Sequence, residues 1–195
     1  MPMKIEVRAD GAHITGYVNA TEKKSRPVMT PHGRCIEVIE PRAFEKALER
    51  GGDIGVTVDH DGTHVYARTD DGTCTLFEDA IGLHADVLIK DPTVIALAKA
   101  GRIRGWSFGM FNVIDEIEPR ADGELPIRHI KALDLDHITL VVNKLPVYSA
   151  TSVELRAEAE VVLEVRSADE NPQITVEAPS FDYASYKARL EAINH

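Results

Sequence analysis

A serine with the surroundings of a nucleophile stands in the run Gly101-Arg-Ile-Arg-Gly-Trp-Ser-Phe-Gly-Met-Phe, at position 107. In an extended strand its hydroxyl points away from the rings of Trp106 and Phe108, onto the face that carries Gly105 and Gly109. Two glycines there remove side chains that would crowd the hydroxyl and let a substrate backbone come close. The same residues also read as a serine on a sheet face beside two packing glycines. Gly105-Trp-Ser-Phe-Gly109 matches the nucleophile-elbow pattern G-x-S-x-G in letters alone, because that motif needs a helix after the serine. Here Phe108 to Ile117 continues as a strand, and no alternation of strands and helices surrounds it.

A serine becomes nucleophilic when a neighbouring base takes its proton, and an imidazole is the usual choice near neutral pH. Of the eight histidines, His60 has the best setting: Val56-Thr-Val-Asp-His-Asp-Gly, where a strand meets an Asp61-Gly62 turn. Asp59 and Asp61 beside it would favour a charged ring, although adjacent strand residues point elsewhere; a turn histidine among solvated carboxylates is the plainer reading. Asp59, His60, Asp61 and His64 could also be read as a metal site, but a His-x-x-x-His pair matches metal spacing on a helix face, not across a glycine turn. His137, in Leu133-Asp-Leu-Asp-His-Ile-Thr-Leu-Val-Val, is placed to hold the first imidazole in its productive tautomer, work often done by a carboxylate. Asp136 is adjacent but should face the other side of that strand. His13, His32, His84, His129 and His195 read as surface or structural.

The elements that must position these residues follow from punctuation and periodicity. Residues 4–8 and 13–18 alternate around Asp10-Gly11 as a β-hairpin. Cys35 to Glu40 is a strand halted by Pro41, and Ala43, Phe44, Ala47 and Leu48 then fall at helical spacing, with Pro41 as first helical residue and Gly51-Gly52 as a stop. Strand signals recur at 54–59, 64–68, 73–77 and 82–88 between Asp-Gly-type turns. Asp91 caps a helix that Pro92 starts and Gly101 ends. Two long strands, 102–117 and 127–142, complete the pattern. Short connections predict a mainly β, α+β fold: a largely antiparallel sheet, closed or nearly closed into a barrel, with two peripheral helices. Residues 1–155 read as one domain and 156–195 as a tail, with a linker at 167–172 and a short amphipathic helix at 180–193.

Bulk properties narrow the function. The 195 residues carry a net charge of −10 without a basic stripe, which speaks against binding nucleic acid through its phosphates. Cys35 and Cys74 are far apart and form no C-x-x-C pair, so two buried free thiols in a reducing compartment are expected, not a disulfide or a cysteine zinc site. The N-terminus has no signal-peptide run, and no apolar stretch approaches the roughly 20 residues of a membrane span. A soluble chain that stays inside the cell making it is the expectation, with no cofactor and no metal.

In order along the chain, Gly16-Tyr-Val-Asn-Ala, Glu40-Pro-Arg-Ala-Phe, Asp59-His-Asp, Gly105-Trp-Ser-Phe-Gly, Ile138-Thr-Leu-Val and Leu145-Pro-Val-Tyr-Ser-Ala-Thr resemble the prohead proteases of tailed phages, a family distantly similar to herpesvirus assemblin. The resemblance spans about residues 1–155. It implies a herpesvirus-protease-like barrel ringed by helices, with Ser107 as nucleophile and His60 as base. Where phage members usually carry an acidic third residue, this chain has His137, like the herpesvirus enzymes; Asp136 could take that role if the strand is bulged. The resemblance further implies a serine endopeptidase that cuts scaffold protein, or a scaffold-like extension of the major capsid protein, and itself, within proheads assembling in the bacterial cytoplasm. It leaves open whether the enzyme works as a homo-oligomer. Asn143-Lys144, or Arg102 and Arg104, are candidates for stabilising the oxyanion. Two alternatives stand beside it: a non-catalytic assembly protein that binds scaffold, and a hydrolase of small esters.

Overall fold

Alternation writes the strands directly. In a computed structural model, which describes residues 3–30, 33–121, 123–143, 162–168 and 173–176, Ile5 and Val7 turn inward from β1 (Lys4–Arg8) while Lys4 and Arg8 face out. After β2 (Gly11–Ala20) and β3 (Val28–Thr30), β4 (Gly33–Ile39) leads into α1 (Ala43–Glu49). Next come β5 (Gly55–Val58), β6 (Ala67–Arg68), β7 (Cys74–Glu78) and β8 (Gly82–Ile89). Helix α2 (Pro92–Lys99) precedes the long strands β9 (Gly105–Glu118) and β10 (Ile127–Val141), and β11 (Val162–Ala168) and β12 (Gln173–Val176) follow.

Helix α2 starts as its sequence dictates: the Asp91 carboxylate accepts the N–H groups of Thr93 and Val94, satisfying two of the donors a helix start leaves over. Helix α1 begins differently. Pro41 lies ahead of the helix, and Arg42 takes the cap position in a left-handed conformation. The Glu78 side chain on β7 accepts the N–H groups of Arg42 and Glu45, so a carboxylate from another strand supplies the cap.

The expected barrel does not form. One sheet runs β12-β1-β2-β8-β7; the second runs β11-β9-β10-β4-β3, with β5 branching from β10 and β6 pairing with β5, and among the described residues neither closes on itself. The reason lies on β10. Its one edge pairs with β9 in antiparallel fashion. Its other edge is shared by two parallel partners, β4 along Ile127–Ile130 and β5 along His137–Leu140. Helix α1 is the crossover between those partners. A branched edge of this kind cannot continue round into a ring, and the hairpin connections that predicted antiparallel pairing say nothing about strands remote in sequence. The sheets are therefore mixed: β12 also lies parallel to β1.

The two sheets share one core, in which Ile5, Ile14 and Leu83 from the first meet Trp106, Phe108, Met110 and Ile138 from the second. Phe44 of α1 meets Phe108 edge-on, with ring centroids 5.2 Å apart. Cys35 and Cys74 are buried and form no disulfide, and burial pushes the Cys74 thiol up to about 12. Strands β11 and β12 fall within the 156–195 segment and extend the sheets at β9 and β1. The helix expected at 180–193 and linker residues 169–172 lie outside the described residues.

Candidate active site

Alternation on β9 divides its residues between two jobs. Trp106, Phe108 and Met110 enter the core, which leaves Ser107 and Gly109 on the opposite face. Strand β10 lies alongside in a register that sets Thr139 opposite Ser107 and His137 opposite Gly109. Strand β5 flanks β10 on the far side and ends at Val58, so the turn after it reaches across the same face.

That turn carries His60. Asp59 and His60 are both left-handed, at φ 49° and 59°, a conformation costing about 1–3 kcal/mol per residue away from glycine. Four bonds to β10 and the two residues that follow it hold the turn. The Asp59 N–H donates to the Leu140 carbonyl (2.9 Å), and the His60 N–H to the Thr139 hydroxyl (3.0 Å). The Asp59 carboxylate accepts the N–H of Val142 at 2.8 Å and of Asn143 at 3.0 Å. The cost is thus offset by fixing the ring of residue 60 over β9 and β10.

Three side chains then meet in a line. His60 Nε2 is 3.0 Å from Ser107 Oγ, and His60 Nδ1 is 2.8 Å from His137 Nε2. The two rings stand nearly perpendicular, at 76°. Ser107 is fully buried and His60 partly so. Gly109 has a clear steric duty: a Cβ there would fall 2.5 Å from Cε1 and 2.8 Å from Nδ1 of His137. The glycine was expected to open a path for substrate; it makes room for an imidazole instead.

The line continues one residue further. The β9–β10 register slips between Leu135 and His137, which makes Asp136 the extra residue of a β-bulge and breaks the strict alternation of sides. Its carboxylate reaches His137 Nδ1 at 2.6 Å. Asp136 thus contacts the second imidazole and not the first.

A model of the caudovirus prohead serine protease family matches residues 2–164. The chain belongs to that family. No curated protein and no solved structure gives a significant match. Prohead serine proteases mature the capsid, and the chain's membership extends over most of its length. Of the motifs that carry the resemblance, those up to Ile138-Thr-Leu-Val lie on β2, α1, the β5 turn, β9 and β10, whereas Leu145-Pro-Val-Tyr-Ser-Ala-Thr is outside the described residues.

The competing readings of these residues find different geometry. Ser107 sits inside a continuous strand that runs on to Glu118, without the helix an elbow requires. The four residues of the metal reading do not converge on one point: Asp59 binds backbone N–H groups, His60 meets Ser107 and His137, and Asp61 and His64 pair with each other at 3.9 Å beside Thr63. Among the described residues no group of three or more His, Cys, Asp or Glu is disposed to hold a metal ion, and no helix is long and apolar enough to cross a membrane. His13 pairs with Asp10, His84 packs against Tyr17 and Phe77, and His129 bridges Glu40 and Glu118.

Sequence reasoning missed two positioning groups, Asp59 and Thr139. The signal for Asp59 was its place directly before the candidate base at a strand end, where a carboxylate can bind its neighbours' backbone. Thr139 belonged to a recognised motif, but its hydroxyl gains a purpose only through the register with β5. Of the oxyanion candidates, Arg102 donates to the Asn143 side chain at 3.2 Å; Lys144 lies outside the described residues. Beside Asp136, a cleft of about 420 Å³ opens between the end of α1 and the β9–β10 pair, lined by Ala47, Arg50, Phe111, Asp134 and Asp136 among others.

Proposed function

We propose that the chain is a serine endopeptidase that cleaves scaffold protein, or a scaffold-like extension of the major capsid protein, and itself. The setting is the assembling prohead in the bacterial cytoplasm. Residues 1–155 are the catalytic unit in this reading, and 156–195 a segment that tethers the enzyme to scaffold or is removed by self-cleavage.

One observation carries it: a hydroxyl, an imidazole and a second imidazole from three remote stretches of chain, in hydrogen-bond contact at 3.0 and 2.8 Å. Ser107 Oγ attacks the scissile carbonyl while its proton passes to His60 Nε2, and the imidazolium is steadied by His137. The tetrahedral intermediate collapses as His60 returns that proton to the leaving amine, giving an acyl-enzyme. Water then attacks the acyl carbonyl as it surrenders a proton to His60, and collapse breaks the bond to Ser107 Oγ, which takes that proton back as the carboxylic acid leaves. Family membership supports peptide bonds as the target.

The test is incubation with the matching scaffold and capsid proteins, wild type beside Ser107→Ala, with mass spectrometry of the fragments. Defined cleavages are expected in the wild type and none in the variant. Equal fragments from both, or intact scaffold in both, would overturn the reading, the second result favouring a non-catalytic assembly protein.

A further inference from the structure

Two neutral imidazoles in series form a proton wire with two directions. In one, His60 Nδ1–H donates to His137 Nε2, which leaves His60 Nε2 bare and able to accept the Ser107 proton. In the other, His137 Nε2–H donates to His60 Nδ1; the remaining hydrogen of His60 then sits on Nε2, and the ring cannot act as a base toward Ser107. The 2.8 Å contact is the same in both, because each ring nitrogen can be donor or acceptor. Only something outside the pair can set the direction.

Asp136 is that group. An ionised carboxylate only accepts, so at 2.6 Å it requires a hydrogen on His137 Nδ1. A neutral His137 is then bare at Nε2, His60 must donate from Nδ1, and His60 Nε2 is bare beside Ser107 Oγ at 3.0 Å. One carboxylate fixes two tautomers in sequence. We propose that Asp136 is a positioning residue, placed by the bulge between Leu135 and His137, that sets the polarity of the His137–His60 relay. The inference rests on His60 serving as the base of Ser107. The other nearby carboxylates are committed elsewhere: Asp59 to the backbone of Val142 and Asn143, Asp61 to Thr63, and Asp134 to Arg50 and Asn112.

Asp136→Asn tests this sharply, since an amide keeps the shape but can donate its own N–H to His137 Nδ1 and turn the wire round. In the full-length protein kcat should fall at least about tenfold, the usual cost of losing such an outer partner, with KM little changed. The ¹⁵N shifts of the ring nitrogens at neutral pH read the polarity itself: His60 Nε2 is expected bare in the wild type and substantially protonated in Asp136→Asn. An unchanged kcat, or a His60 Nε2 that stays bare in the variant, overturns the proposal, and a protonated Nε2 in the wild type does so without any turnover assay. Failure of the protease reading looks different, because turnover would then be indifferent to Ser107→Ala.

Discussion

At residue 60 the chain gives up backbone comfort for placement. Asp59 and His60 share a left-handed turn that contacts to β10 and to the two residues after it help sustain. Asp59→Ala removes the acceptor for the Val142 and Asn143 N–H groups and should let the turn relax, carrying the imidazole away from Ser107. A misplacement of about 1 Å suffices to lose about a hundredfold in rate, so kcat is expected to drop by that order while the fold persists; wild-type turnover in Asp59→Ala would show that the turn is held by other means. Gly109→Ala attacks the site from below. The new methyl would fall 2.5 Å from the His137 ring, a clash that one of the two must shift to relieve. Loss of activity of similar size is expected, with far-UV circular dichroism unchanged. An active Gly109→Ala enzyme would mean that His137 can move without consequence.

Strand β10 organises the element scale, since it carries His137 and Thr139 and pairs with β4, β5 and β9. Its lower half is fastened by charge: the buried Arg128 donates to Glu37 of β4 at 2.8 Å and to Asp115 of β9. Glu37 has no exposed surface. Arg128→Met leaves that carboxylate buried without its guanidinium and should destabilise the fold by about 3–5 kcal/mol, whereas adding Glu37→Leu should recover much of the loss. Urea unfolding of the single and double variants checks this; a double variant no better than the single contradicts it. The hairpins, the Asp91-capped helix and the two long strands were legible in the residues because alternation and turn chemistry are local. The shape of the sheets was not, because the parallel pairings of β4 and β5 with β10 join segments about 80 to 90 residues apart and leave no local trace. The same distinction separates the site residues. Ser107, His60 and His137 stood out by type and motif, but the bulge that turns Asp136 toward His137 is a register event, invisible until β9 and β10 are laid side by side.

Across the whole molecule, β9 joins core and candidate site: one face supplies Trp106, Phe108 and Met110 to the shared core, and the other holds Ser107, the proposed nucleophile. Stability and the proposed catalysis therefore lean on one strand, and titration elsewhere can reach the fold. His129 links Glu118, at the end of β9, to Glu40, just before α1. Hydrogen bonds donated by its ring to the Glu118 carboxylate first and Glu40 next hold its imidazole above the ordinary 6.5. A group raised in the folded state stabilises fully below its unfolded value and loses that contribution as pH climbs through the raised one. The gap in urea midpoint between wild type and His129→Gln should accordingly be widest below about pH 6 and shrink in alkaline buffer; a gap indifferent to pH contradicts the ion-pair assignment. The most direct test of the catalytic centre is the rate at which a fluorophosphonate phosphonylates the protein with loss of fluoride, followed by intact mass and mapped to its peptide. One adduct on Ser107 is predicted, forming at least about a hundredfold more slowly in His60→Gln; no adduct at Ser107, or equal rates in the two proteins, would contradict a serine activated by that imidazole.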